Sequence, residues 1–153
     1  MPKFPKILIA GCGNPLFADD GFGPAVAEEM QKLSLPNNIY IVDAGLGGPH
    51  FIFSQIDPEV TKKLIIVCAA DFNAEPGTIA KFRVEDLPPN SLRDAHSADL
   101  NNPLEQIKDK VDIIILGCQP ARIPDEMEIG ISDEVSRAIP KTVQILLDII
   151  AAD

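Results

Sequence analysis

Four short apolar runs constrain this chain more than any other feature: residues 7–10 (ILIA), 38–45 (NIYIVDAG), 63–69 (KLIIVCA) and 111–118 (VDIIILGC). Each has strand length and is rich in β-branched side chains. Each also stops at or beside a glycine, an aspartate or a cysteine. Segments of helical period separate them. Val26, Met30 and Leu33 recur at helical spacing within about 20–33, where Pro24 is tolerable only near the start. "GGPHFIFSQI" opens a second helix, "SADLNNPLEQIKDK" a weaker third, and residues 132–151 a long closing one that Pro140 is expected to bend. "PGTIAKFRV" (76–84) follows a Pro-Gly turn and reads as an edge strand, antiparallel to its neighbour.

Strands alternating with helices predict an α/β three-layer sandwich, a mostly parallel twisted sheet of about five strands with helices on both faces. Nothing resembling a linker or a repeat interrupts residues 1–153, so one domain is expected. In such a sheet the strand exits gather on one rim, and ligands bind where the strand order switches. That rim would bring together 11–20, 43–48, 68–71 and 117–120.

The 153 residues, 46% of them hydrophobic, suffice for a real core. A net charge of −10 without any Lys/Arg cluster argues against nucleic acid and against an anionic membrane surface as partners. Cys12, Cys68 and Cys118 are odd in number, far apart and placed at the ends of apolar runs. That is no disulfide framework, so a reducing cytoplasm is expected. No run approaches a membrane span, and the first residues lack a cleavage pattern.

The densest signal is "GCGNPLFADDGFG" (11–23). Gly11 and Gly13 permit a sharp turn out of a strand, Asn14 follows them, and Gly21 and Gly23 allow close backbone approach around Asp19 and Asp20. An aspartate ahead of a helix can simply cap it, a role that suits Asp19 better than Asp20. A dinucleotide-binding enzyme is the rival from another class. Leu16 stands where its third glycine should be, and Asp43 lies too far on to be the ribose acid. No P-loop lysine and no Gly-x-Ser-x-Gly elbow occur. His50 opens an apolar helix and reads as packed at least as readily as functional. His96 lies in a polar stretch and is available as a ligand or acid/base. No metal site is legible from local spacing, so any such site must join residues distant in sequence.

Taken in order, "GCGNPLFADDGFGP", "VDAGLGG", "LIIVCAADFNAEPGT", His96 and "IIILGCQP" resemble the hydrogenase maturation endopeptidases. The branch serving deazaflavin-coenzyme-reducing nickel–iron hydrogenases of methanogenic archaea is the most similar. The resemblance covers nearly the whole chain. It implies the α/β sandwich already read and a protease that removes a C-terminal extension from a nickel–iron hydrogenase large subunit once nickel is in place. It implies no permanently bound cofactor. The nickel sensed belongs to the substrate, and zinc or cadmium could replace it in crystals.

The resemblance places Asp20 as the first-loop acid and His96 as the histidine. At position 68 the family's Val-Asp-Ala is Val-Cys-Ala here, so Cys68 stands where the third ligand, an aspartate, is expected. Asp71 matches a second acidic position of some relatives, and Asp43 lies in a loop bordering the implied cleft. A thiolate is a good soft ligand for nickel or zinc, so Asp20, Cys68 and His96 remain a possible three-ligand catalytic and metal-sensing set. Sulfur offers one donor atom and orients water less strongly than a carboxylate, so hydrolysis should suffer more than metal sensing. Cys68 could also be no more than a small buried hydrophobe. Two further expectations follow: a processing endopeptidase, or an impaired relative that binds the immature subunit without cleaving it.

Overall fold

The computed structural model describes residues 3–45, 48–86, 104 and 106–153. Its sheet has five strands: β1 (Ile7–Cys12), β2 (Ile39–Gly45), β3 (Lys63–Ala69), β4 (Ile79–Phe82) and β5 (Asp112–Cys118). Their order is β2-β1-β3-β5-β4, parallel throughout except for the antiparallel pair β4–β5 at one edge. This is the sandwich expected from the alternating pattern.

The two sides of β3 show why its run is almost uninterrupted in hydrophobicity. Leu64, Ile66 and Cys68 face one core; Ile65, Val67 and Ala69 face the other. A strand buried on both faces cannot alternate with polar residues. The first core is closed by α2 (Gly48–Ser54) through Ile52, with Ile56 and Leu104 beside it. The second is closed by α1 (Phe22–Gln31) and by α3 (Asp133–Ala152). Along α3, Val135, Ala138, Thr142 and Leu146 turn inward at helical spacing. Ser132 caps this helix by accepting a hydrogen bond from the Val135 amide at 3.4 Å.

Several local expectations need correction. Residues 18–21 form a 3-10 turn, and α1 begins only at Phe22. It stops at Gln31, so Leu33 falls past the last turn and is 40% exposed instead of joining the core. The edge strand keeps only four residues of the nine in 76–84, because Gly77 takes φ +89° and the amide of Thr78 bonds back to Glu75. Pro140 lies inside α3 as read, and the helix runs on through it from Asp133 to Ala152. The proline lies on the exposed side, where the carbonyl it leaves unbonded can take water. His50 falls on α2 with its side chain outside the described set, and His96 and most of the third expected helix lie outside the described residues. Among the described residues no helix is long and apolar enough to cross a membrane.

Candidate active site

The chain leaves β1 toward β2 on one side, then returns to place β3 on β1's other side. The strand order therefore switches between β1 and β3, where a parallel sheet opens a crevice at its C-terminal rim. The loop after β1 fills one wall of it. Its path depends on two glycines. A Cβ on Gly23 would lie 2.3 Å from the Cys12 carbonyl oxygen and 2.4 Å from that of Val67, so the start of α1 is pressed onto the exits of β1 and β3. Gly13 takes φ +136°, and a Cβ there would strike the Asp20 carbonyl at 2.0 Å.

Within this loop the adjacent aspartates have different surroundings. Asp19 is fully buried. Its Oδ2 accepts hydrogen bonds from the Ala121 amide (2.9 Å), the Arg122 amide (3.0 Å) and the Ser132 hydroxyl (2.9 Å), and its Oδ1 from the Ser132 amide (2.7 Å). It does not cap its own helix, as its position suggested. It fastens the first loop to the segment after β5 and to the start of α3. A parallel bridge between Phe17 and Glu128 continues the same seam. Asp20 is half-buried, and its Oδ2 accepts from the Asn14 amide at 2.9 Å. Asn14 in turn accepts from the Leu16 amide at 3.0 Å, which tightens the turn carrying that donor.

Cys68 ends the buried part of β3 on the first-core face and is 6% exposed. Burial pushes its thiol pKa well up, and the proximity of Cys12 and Asp20 acts in the same direction. The Cys12 thiol is pushed up to about 12 by burial, then by Asp43 and by Asp20. Both thiols are thus neutral near pH 7, and both sense the Asp20 carboxylate. Asp43, near the end of β2, is exposed and contributes charge at the rim. Asp71 is exposed as well and has a different task. Its Oδ1 accepts from the Asn73 amide (3.2 Å) and the Gln119 side-chain amide (3.1 Å). The other end of Gln119 accepts from the amides of Phe72 (2.8 Å) and Ala74 (3.2 Å), so this pair shapes the loop after β3.

The structure therefore places Asp20 within electrostatic reach of Cys68 near the exits of β1 and β3, and ties Asp71 to the β5 exit. Among the described residues no group of three or more His, Cys, Asp or Glu is arranged to hold a metal ion. Sequence reasoning missed Gln119 as an organiser and gave Cys12 no role. Cys12 and Cys68 each stand one residue past Gly11–Val67, the last register pair of β1 and β3, and Cys12 packs against the core that holds Cys68.

The family model for hydrogenase maturation proteases matches residues 24–149. The chain belongs to the hydrogenase maturation protease family. It is thereby a member of a peptidase family. Its similarity extends through the first loop: the coenzyme F420 hydrogenase subunit delta of Methanothermobacter thermautotrophicus is 42% identical over 97% of this chain and 96% of its own. The hydrogenase 3 maturation protease of Escherichia coli is 30% identical over 71% of this chain and 69% of its own. Among solved structures, the hydrogenase maturating endopeptidase HybD from Escherichia coli superposes with a TM-score of 0.81 at 23% identity, over 96% and 93% of the two chains. That last likeness concerns the fold.

Proposed function

We propose that this protein removes the C-terminal extension of a nickel–iron hydrogenase large subunit after nickel has been inserted, acting in the cytoplasm. The observation that carries the reading is Asp20: a carboxylate held by a backbone amide at the switch-point crevice, on a loop whose path its glycines fix. In this reading the substrate brings the nickel. Asp20 and His96 face that metal, with Cys68 at the third position, and a water oriented there attacks the peptide carbonyl. Asp20 faces the metal's charge, takes the attacking water's proton and returns it to the amine released as the peptide C–N bond breaks. The extended tail lies along the rim formed by 11–20 and the Asp43 end of β2.

A second reading has its own support. The Cys68 thiol is buried and protonated, so it offers no anion to polarise water until a metal displaces its proton. A protein of that kind would grip the immature subunit and turn it over poorly. Mixing the protein with nickel-loaded precursor separates the two, with size-exclusion chromatography for complex formation and mass spectrometry for cleavage. Cleavage that Cys68→Asp accelerates supports the protease. A stable complex with full-length precursor, converted to cleavage only by Cys68→Asp, supports the binding protein. Absence of both complex and cleavage, in native and variant protein alike, contradicts both.

A further inference from the structure

We infer that the segment from Met127 to Ile131, with the groove between it and α1, is a docking edge for an extended stretch of the large-subunit precursor that carries Lys or Arg among apolar side chains. The inference deepens the protease reading and rests on it for the partner. Glu128 bridges Phe17 in parallel register. Its amide donates to the Leu16 carbonyl at 2.8 Å, and its carbonyl accepts from the Ala18 amide at 2.7 Å. Neighbouring residues of a strand turn their N–H and C=O groups to opposite sides, so those of Met127 and Ile129 face away from the first loop. Among the described residues none bonds to them. Met127 and Ile129 are also 65% and 81% exposed, more than any other large apolar side chain described. An open edge bearing exposed apolar side chains is a template for one more strand.

Ile129 and Ile131 also border a groove of about 400 Å³. Pro24 lines its apolar part, Glu28 and Asp43 its charged part, and among the described residues no Lys or Arg lines it. Gly21, the residue after Asp20, lines it as well, so the groove adjoins the loop that carries the proposed catalytic acid. Glu126 adds an exposed carboxylate beside the edge, and Arg122 is held by Glu128 at 3.1 Å. This charge selects the occupant. A second copy of the chain would set carboxylates against carboxylates, which opposes self-pairing. A basic and apolar segment satisfies edge, groove and charge together: its backbone bonds to Met127 and Ile129, and its side chains enter the groove. Glu128 is bonded to Leu16 and Ala18, so the added strand is set in register with the loop bearing Asp20.

Nickel-loaded precursor is the probe, with KM and kcat taken from release of its tail and Kd from biolayer interferometry. Ile129→Lys and Met127→Lys each remove an apolar contact and repel a basic segment, so each should raise KM and Kd about tenfold. The same variants should leave kcat within about twofold, because the contact is made equally before and during the reaction. Glu28→Gln should weaken binding about threefold and flatten its decline with added salt. Val60→Lys, at an exposed apolar residue elsewhere, should match the native protein, and equal melting temperatures confirm that all variants are folded. KM and Kd within about twofold of native for both Met127→Lys and Ile129→Lys would overturn the docking edge. So would a native dimer, seen by sedimentation, that Ile129→Lys separates without altering precursor affinity. Precursor bound but left whole would fail the protease reading alone, and the Kd ranking would still decide the edge. Precursor neither bound nor cleaved would overturn both.

Discussion

Replacing Asp19 tests whether the first loop is positioned by its buried clasp. The carboxylate receives three backbone N–H groups and one hydroxyl from residues more than 100 positions away in sequence. Asp19→Ala strands all three amides, each at a penalty of about 1–3 kcal/mol. Water entering the vacated space offsets part of this, leaving a cost of roughly 3–5 kcal/mol. Against a total stability of about 5–15 kcal/mol, that is a large loss. With a urea m-value near 2 kcal/mol/M, the unfolding midpoint should fall by roughly 2 M. Asp19→Asn keeps one oxygen for the donors at Oδ2 but points an NH2 group at the Ser132 amide, so about 2–3 kcal/mol is expected. Ser132→Ala should cost less in the Asp19→Ala background than in the native protein, because the two residues share one network. Equilibrium urea unfolding followed by circular dichroism measures all of these. A shift below about 1 kcal/mol for Asp19→Ala would refute the clasp. Asp20→Asn, one residue on, keeps an oxygen for the Asn14 amide and should cost less than Asp19→Ala, no more than about 1.5 kcal/mol.

Other perturbations follow from the same geometry. Gly23→Ala meets two carbonyl oxygens inside 2.5 Å, and backbone cannot rotate away as a side chain can, so a loss of about 3 kcal/mol or more is expected in thermal or urea unfolding. Gln119→Ala frees the amides of Phe72 and Ala74, which should exchange with deuterium faster by at least tenfold while amides of β1 stay protected. Burial raises Cys12 and Cys118 to about 12 from an ordinary 9.0, so the folded state keeps these protons longer than the unfolded one. Their contribution to stability is full below about pH 9 and is lost as pH rises toward 12. Melting temperatures measured from pH 8 to 11 should fall, and fall less in the Cys12→Ser variant.

The sheet was readable because its strands are buried on both faces, and only continuous apolar runs such as 63–69 satisfy that demand. The rim was readable for a related reason: parallel strands put all their exits at one end, so Asp20 and Cys68 converge despite their separation in sequence. Finer features depended on partners that leave no mark in sequence. Asp19 looked like a helix cap because the amides of Ala121, Arg122 and Ser132 carry no residue-type signature. Leu33 fitted the helical period, yet α1 ended at Gln31 before that period could turn it inward. The use of Asp71 was hidden because it depends on Gln119, a neutral side chain brought close only by the β3–β5 pairing.

The most direct test of the central claim is the mass of a nickel-loaded hydrogenase large-subunit precursor after incubation with native protein and with Asp20→Asn. The account predicts loss of the C-terminal extension with the native protein, none with Asp20→Asn, and none from nickel-free precursor. Equal cleavage by Asp20→Asn would contradict it, as would a nickel-loaded precursor left whole by the native protein.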